Sequence, residues 1–363
     1  MAEIRLNQIH KSFEDFTAVS SLDLTVPDGK FFVLLGPSGC GKTTSLRMIA
    51  GLERPTSGEI FLDDDEVTAS RASDRDIAFV FQHYALYPFM TVRGNIAFPL
   101  KTQGVARRER NRRVAEVARQ LRLEDRLDEP VFTLFGGDRQ RVALGRAIIR
   151  HPRAYLMDEP LGTLDAELRE HMRTELRGLQ DRMQATMVMV THDQIEAMAM
   201  ADLVAVMNAG RVLQVGSPMT LYRRPADTFV ARFVGSPAIN FLEIPGPLPA
   251  NSETVTMRGS AVPVRPTTTA VDHDMVTVGI RPEYVRLADD GTLAGRVITA
   301  EYMGTHHLLT VETELGRLRV RDTHRRRAAP GERIGVSFEG REMLLFDPAS
   351  GRAVQAIDDV SGE

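Results

Sequence analysis

Cysteine is almost absent from these 363 residues: Cys40 stands alone. A disulfide framework and a cysteine-built metal site are therefore excluded. Lysine is scarce as well. Only Lys11, Lys30, Lys42 and Lys101 occur, and the rest of the 45 basic residues are Arg, so a lysine inside a motif carries extra weight. No apolar run approaches the ~18 residues that cross a bilayer. The opening MAEIRLNQIHKSF has no apolar signal-peptide core, so the chain reads as cytosolic. A net charge of -4 gives no ground for general nucleic-acid binding. What is present is an ordinary globular mix, 43% apolar and 26% charged, which excludes disordered and fibrous classes. The length suggests two domains at roughly 150 residues each.

The first two-thirds alternate short apolar runs with amphipathic stretches, the pattern of a parallel sheet covered by helices. Phe31 to Leu35 (FFVLL), Ala154 to Met157 and Met187 to Val190 read as buried strands. Leu168, Met172, Leu176, Leu179 and Met183 recur at spacings of four and three, one face of a helix. Asn208-Ala209-Gly210 reads as a hairpin turn between two strands. Ser217-Pro218 reads as a helix start. Near Val234 the texture changes to clustered prolines and strand-like pieces such as Met275 to Ile280 and His307 to Glu312. An α/β domain over 1–235 and an all-β domain over 236–363 are expected. Residues 104 to 126 are rich in Arg, but Val114, Val117 and Leu121 sit at helical spacing. The solvated face of a helix is preferred there to a nucleic-acid patch.

Gly36-Pro37-Ser38-Gly39-Cys40-Gly41-Lys42-Thr43 matches the phosphate-binding loop. It follows one buried strand and precedes an apolar-periodic stretch, the context the motif requires. Its glycines let backbone N–H groups face phosphates at a helix N-terminus. Lys42 is expected on the β- and γ-phosphates and the Thr43 hydroxyl on Mg²⁺. Asp158, at the end of a buried run, is the expected metal partner, and Glu159 the group that polarises the attacking water. No Asn-Lys-x-Asp guanine-reading segment occurs, so ATP is expected over GTP. Cys40, inside the loop among its backbone N–H groups at a helix N-terminus, is expected to favour its thiolate and to react with thiol reagents unless MgATP shields it.

With these residues in order, the chain resembles the ABC ATPases. Leu134 to Arg141 (LFGGDRQR) is similar to the family's signature segment, and Gln82 to its Q-loop glutamine. Leu161 to Asp165 resembles the D-loop, His192 the H-loop histidine, and Phe13 the aromatic that stacks on adenine. DRDIAFVFQHYALYPFMTV, GSPAINF (Gly235 to Phe241) and GIRPE (Gly279 to Glu283) narrow the resemblance to import ATPases of the maltose-transporter type, which serve sugars, oligosaccharides and glycerol-phosphate compounds. The resemblance implies an α/β P-loop ATPase over 1–235 with a helical subdomain at about 88–150, followed by an OB-like (TOBE-type) regulatory domain over 236–363. It implies a dimer sandwiching two ATP molecules, two permease subunits and, indirectly, an extracytoplasmic solute-binding protein, at the cytoplasmic face of the membrane. It also implies nucleotide contacts from Phe13, Ser38, Gly39, Cys40, Gly41, Lys42, Thr43, Thr44 and Asp165. Gln82 and His192 join Glu159 in catalysis, and Gln82 also joins Thr43 and Asp158 at the metal. Gly136, Gly137 and their neighbours Phe135 and Asp138 face the partner's ATP.

The signature departs from the family's Leu-Ser-Gly-Gly-Gln. Phe135 replaces a serine that donates to the partner's γ-phosphate, and Asp138 replaces the glutamine. Asp138 either brings a negative charge near phosphate or serves the following helix N-terminus, where acids are favoured. Gly162 and Thr163 replace the usual serine and asparagine of the D-loop. An impaired signature in trans is expected, in a homodimer or beside an intact partner. The alternative is a nucleotide switch with little hydrolysis of its own. Soluble ABC proteins of DNA repair or translation carry long coiled-coil insertions or tandem cassettes, which this sequence lacks.

Overall fold

The structure, a computed structural model, describes residues 2–323 and 328–354. The chain divides into two compact units, Met1–Pro218 and Met219–Glu363. The first contains β1 (Ile4–Phe13), β2 (Phe16–Val26), β3 (Phe31–Leu35), α1 (Lys42–Ala50), β4 (Ser57–Leu62), β5 (Asp65–Glu66) and β6 (Ile77–Val80). Then come α2 (Val92–Thr102), α3 (Arg107–Gln120), α4 (Gly136–Ile148), β7 (Ala154–Asp158), α5 (Ala166–Met183), β8 (Met187–Thr191), α6 (Gln194–Met200), β9 (Leu203–Asn208) and β10 (Arg211–Gly216).

Every residue of β3, β7 and β8 is buried. That is why these strands read as continuous apolar runs and not as alternating ones. They form the middle of a six-stranded sheet in the order β10-β9-β3-β8-β7-β6. Its pairs are parallel except for the β9–β10 hairpin. That hairpin turns on Ala209 and Gly210, both at positive φ (46° and 77°), as a tight two-residue turn requires. A second, antiparallel sheet runs β2-β1-β4-β5. The helix read from its apolar spacing is α5, which buries Met172, Leu176 and Leu179. The Arg-rich stretch forms α3, which buries Val114 and Val117. Its Arg112 and Arg113 pair with Glu109 and Glu116 at 2.6–2.8 Å. These are half-exposed pairs on a solvated face, each worth little stability.

Register decides where the chemistry falls. Leu35 lies beside Thr191, Val190 beside Asp158, and Met157 beside Val80. The C-terminal ends of β3, β8, β7 and β6 are therefore level. The loops that leave them meet along one edge of the sheet, the edge at which open α/β sheets bind ligands.

Around and in the second unit lie α7 (Pro218–Arg223), α8 (Thr228–Phe233), β11 (Asn240–Pro245), β12 (Thr254–Met257), β13 (Ser260–Pro263), β14 (Met275–Ile280), β15 (Val285–Ala288) and β16 (Leu293–Tyr302). The last strands are β17 (His307–Thr313), β18 (Gly316–Asp322), β19 (Arg333–Phe338), β20 (Leu344–Phe346) and β21 (Ala353–Val354). A five-stranded antiparallel sheet runs β15-β19-β16-β17-β18 and a four-stranded one β11-β14-β20-β21. The described residues after 235 thus form strands and short 3-10 turns, in line with the all-β expectation.

Two of the three motifs that narrowed the resemblance, GSPAINF and GIRPE, hold structural anchors. Asn240 joins the two sheets, donating to Arg319 O at 2.9 Å and accepting from Arg319 N at 2.7 Å. Arg281 is 2% exposed, lies over the Tyr222 ring, and donates to the carbonyls of Tyr222 and Val234 at 2.6 and 2.7 Å. Burial pushes the Arg281 guanidinium down from its ordinary value, and these carbonyls offset the lost hydration. Arg281 thereby fastens α7 and α8 to the second unit. The compact division accordingly falls at Pro218, ahead of the residue 235 expected from composition.

Candidate nucleotide site

Gly41 stands at φ 101°, and a Cβ built there would lie 2.4 Å from Ala18 O. Only glycine fits that position. The turn at Gly41 starts α1, whose first internal bond runs from Ser45 N to Gly41 O at 2.9 Å. The N–H groups of Lys42, Thr43 and Thr44 are therefore left without intrahelical partners at a positive helix end. Lys42 is 4% exposed, and its ammonium donates to Gly36 O and Pro37 O at 2.8 and 2.9 Å. Its charge is thus held at the loop's centre. Ser38 and Gly39 form the exposed lip.

Thr43 Oγ1 donates to Asp158 Oδ1 at 2.8 Å. Burial pushes the Asp158 carboxyl up from its ordinary value, with the Thr43 bond, Arg47 and Lys42 acting against it. An oxygen-only pair of hydroxyl and buried carboxylate suits a hard divalent cation. One residue on, Glu159 adopts φ 43°, strained backbone for a non-glycine residue and frequent at working sites. Its carboxylate accepts from Gln82 Nε2 at 3.3 Å and meets His192 Nδ1 at 3.3 Å. Gln82, Glu159 and His192 leave three adjacent strands, β6, β7 and β8, and converge there. Phe13 ends β1 and is 43% exposed, so it is not core. Lys11 Nζ lies 4.5 Å from its ring centroid.

The signature end mirrors the phosphate loop in part. The first internal bond of α4 runs from Arg139 N to Phe135 O at 3.0 Å, which leaves the Gly136, Gly137 and Asp138 N–H groups unpaired within the helix. Gly137 packs on α5, where an added Cβ would lie 2.5 Å from Leu168. Phe135 occupies the N-cap position, makes no side-chain cap bond and is 83% exposed. Asp138 is not left as a bare charge. Its carboxylate pairs with Arg126 at 3.3 Å and Arg141 at 3.2 Å, and Arg141 pairs onward with Glu175. Asp165, expected at the nucleotide, caps α5 by accepting from Leu168 N at 2.9 Å.

The Cys40 expectation fails. The side chain is 4% exposed, and burial pushes its thiol up from the ordinary value despite nearby Lys42. Desolvation outweighs the helix end and the ammonium. Alkylation of Cys40 in the folded protein is therefore expected to be slow with or without MgATP, and fast only after unfolding. Mass spectrometry of iodoacetamide-treated protein checks this; rapid labelling of the native chain would overturn it.

Sequence reasoning missed Tyr84, Arg146 and the role of Thr163. Tyr84 OH bonds Thr163 Oγ1 at 2.5 Å, and Arg146 donates to the Tyr84 and Ala85 carbonyls at 2.9 and 2.7 Å. The available signals were a tyrosine two residues after Gln82 and a hydroxyl residue at the departed D-loop position.

Residues 19–162 match the ABC transporter family model and residues 278–346 the TOBE domain. The chain is 43% identical to the sn-glycerol-3-phosphate import ATP-binding protein UgpC 2 of Agrobacterium fabrum, covering 98% of this chain and 95% of that one. It is also 43% identical to the trehalose/maltose import ATP-binding protein MalK of Thermococcus litoralis, covering 98% of this chain and 100% of that one. A solved dimeric bacterial ABC transporter cassette is 30% identical with a TM-score of 0.54, over 59% of this chain and 98% of that one. With this similarity along nearly its whole length, the chain belongs to the ABC transporter family, among the import ATP-binding proteins that carry a TOBE domain.

Proposed function

We propose that this chain binds and hydrolyses ATP to power import of sugars, oligosaccharides or glycerol-phosphate compounds. It works as a dimer at the cytoplasmic face of the membrane, against two permease subunits and, through them, a solute-binding protein. The observation that carries the reading is that Lys42, Thr43–Asp158, Gln82, Glu159 and His192 gather at the C-terminal edge of one sheet. The printed names of the relatives support the substrate class. No helix among the described residues is long and apolar enough to cross a membrane, so attachment through permeases suits the chain.

Lys42 and the N–H groups at the start of α1 hold the phosphates, and Phe13 takes the base by stacking. Thr43 and Asp158, with Gln82, would hold Mg²⁺, which when bound would neutralise phosphate charge during transfer. Glu159 orients and polarises the attacking water, and His192 and Gln82 fix its carboxylate. Gly136 and Gly137 offer backbone N–H groups to the partner's γ-phosphate. The switch reading is not favoured, because these hydrolytic groups are intact.

Reconstitution with its permeases and binding protein in vesicles tests the proposal. MgATP-dependent uptake of a maltodextrin or of sn-glycerol 3-phosphate is expected. Stimulated ATPase with neither solute taken up would overturn the substrate class, and no ATPase under any solute would overturn the function.

The second unit is proposed to regulate and not to bind nucleotide. A fragment ending at Pro218 is expected to bind MgATP with affinity within a few-fold of the whole chain, by calorimetry. Ending at 235 instead strands Tyr222 and Val234 without Arg281 and should lower solubility. A folded 1–218 fragment that cannot bind ATP would overturn the division.

A further inference from the structure

We infer that Tyr84 and Thr163 form a positioning pair that sets Glu159 against Gln82, which rests on the proposed role of Glu159 in hydrolysis. Two segments meet at this point. One is the loop after β6, which carries Gln82 and Tyr84. The other is the turn after β7, which carries Glu159, Gly162 and Thr163. They are joined twice, by Gln82 Nε2 to Glu159 Oε2 at 3.3 Å and by the Tyr84 and Thr163 hydroxyls at 2.5 Å.

The first link is long, lies at exposed Gln82, and is weak by its geometry. The second is short and part-buried: Tyr84 is 8% exposed, while Thr163 is at the surface. A short hydrogen bond partly shielded from water holds its geometry more firmly than a long one at the surface. The second link therefore fixes the distance that the first only samples.

Both ends of the link are stiff. Tyr84 and Ala85 stand at φ 61° and 45°, a turn that needs outside support. Arg146 of α4 supplies it by donating to both of their carbonyls. On the other side, Gly162 N returns to Glu159 O at 3.3 Å and Leu164 N to Leu161 O at 3.1 Å. Thr163 and Glu159 thus belong to one compact turn, and Asp165 ends that turn as the cap of α5. A pull on Thr163 is transmitted to the Glu159 backbone, which is itself at positive φ. The departed D-loop residue is then the acceptor or donor that Tyr84 needs.

Tyr84→Phe keeps the ring and removes only the hydroxyl, so it tests the link without emptying the site. In the assembled complex, kcat for ATP is expected to fall about three- to tenfold, the range of one neutral hydrogen bond. KM should stay within about twofold, since Tyr84 does not touch the phosphate loop. Thr163→Val should give the same loss, the double variant no further loss, and Thr163→Ser nearly full activity. Glu159→Gln is measured in parallel. If it abolishes turnover while Tyr84→Phe does not lower kcat, the positioning role is wrong and the catalytic reading stands. Additive losses in the double variant, or a rise in KM with kcat unchanged, also overturn the pair. If Glu159→Gln leaves turnover intact, the catalytic reading falls and the positioning role falls with it.

Discussion

Glu159→Gln lowers steady-state ATPase by ~10²–10⁴-fold, the usual contribution of a general base, and leaves MgATP binding intact. The argument starts from the two contacts of the carboxylate. Oε2 accepts from Gln82 and Oε1 faces His192 Nδ1, each at 3.3 Å. A glutamine amide keeps the size and the contact with Gln82, its oxygen toward Gln82 Nε2 and its NH₂ on the side of His192. The backbone at φ 43° is no more strained for Gln than for Glu. What the amide cannot do is accept a proton from water. Binding depends on Lys42, Thr43 and Asp158, which the change does not touch. Calorimetry should therefore give a dissociation constant within a few-fold of the parent, and the bound dimer should persist on size exclusion in MgATP. Turnover at the parental rate would move the catalytic role away from Glu159.

Much of this site is legible in the sequence because it is local. The phosphate loop, Asp158-Glu159 and His192 each sit directly after an apolar run, and such runs are read from consecutive residues. The antiparallel sheet was not read. β1 carries Gln8 at φ 50° and register shifts against β2, so its alternation breaks within one strand. Links between residues far apart in the chain were equally hidden. Tyr84 and Thr163 lie 79 residues apart, and Arg281 reaches back 59 residues to Tyr222. Cys40 misled for the opposite reason. The local signals, a helix start and the loop's N–H groups, were real, but burial outweighed them and burial is a property of the fold.

Phe135→Ser raises steady-state hydrolysis by the homodimeric complex ~10²-fold, the scale of one preorganised donor at a developing charge. Phe135 occupies the N-cap of α4 and faces solvent, with Gly136 and Gly137 behind it. A serine there adds a hydroxyl beside the unpaired N–H groups, and as an N-cap it stabilises the helix by about 1 kcal/mol. The sequence alone left Asp138 open between a charge near phosphate and a helix-end role, and the geometry separates it from Phe135. Arg126 and Arg141 balance the Asp138 charge, so it adds little repulsion toward a phosphate. Asp138→Gln alone is expected to change turnover less than twofold, and to loosen Arg141, which would keep only Glu175. Because the signature acts on the partner's ATP, the gain should appear in trans. Mixing Phe135→Ser chains with Glu159→Gln chains should give dimers in which the intact Glu159 faces the unrepaired signature. Those dimers should stay slow, while Phe135→Ser homodimers are fast. The remaining N–H groups of Gly136 and Gly137 predict slow turnover, not none, in the parent. A parent complex that already hydrolyses ATP as fast as the Phe135→Ser variant would mean that the serine hydroxyl is dispensable here and that the signature, as it stands, is competent.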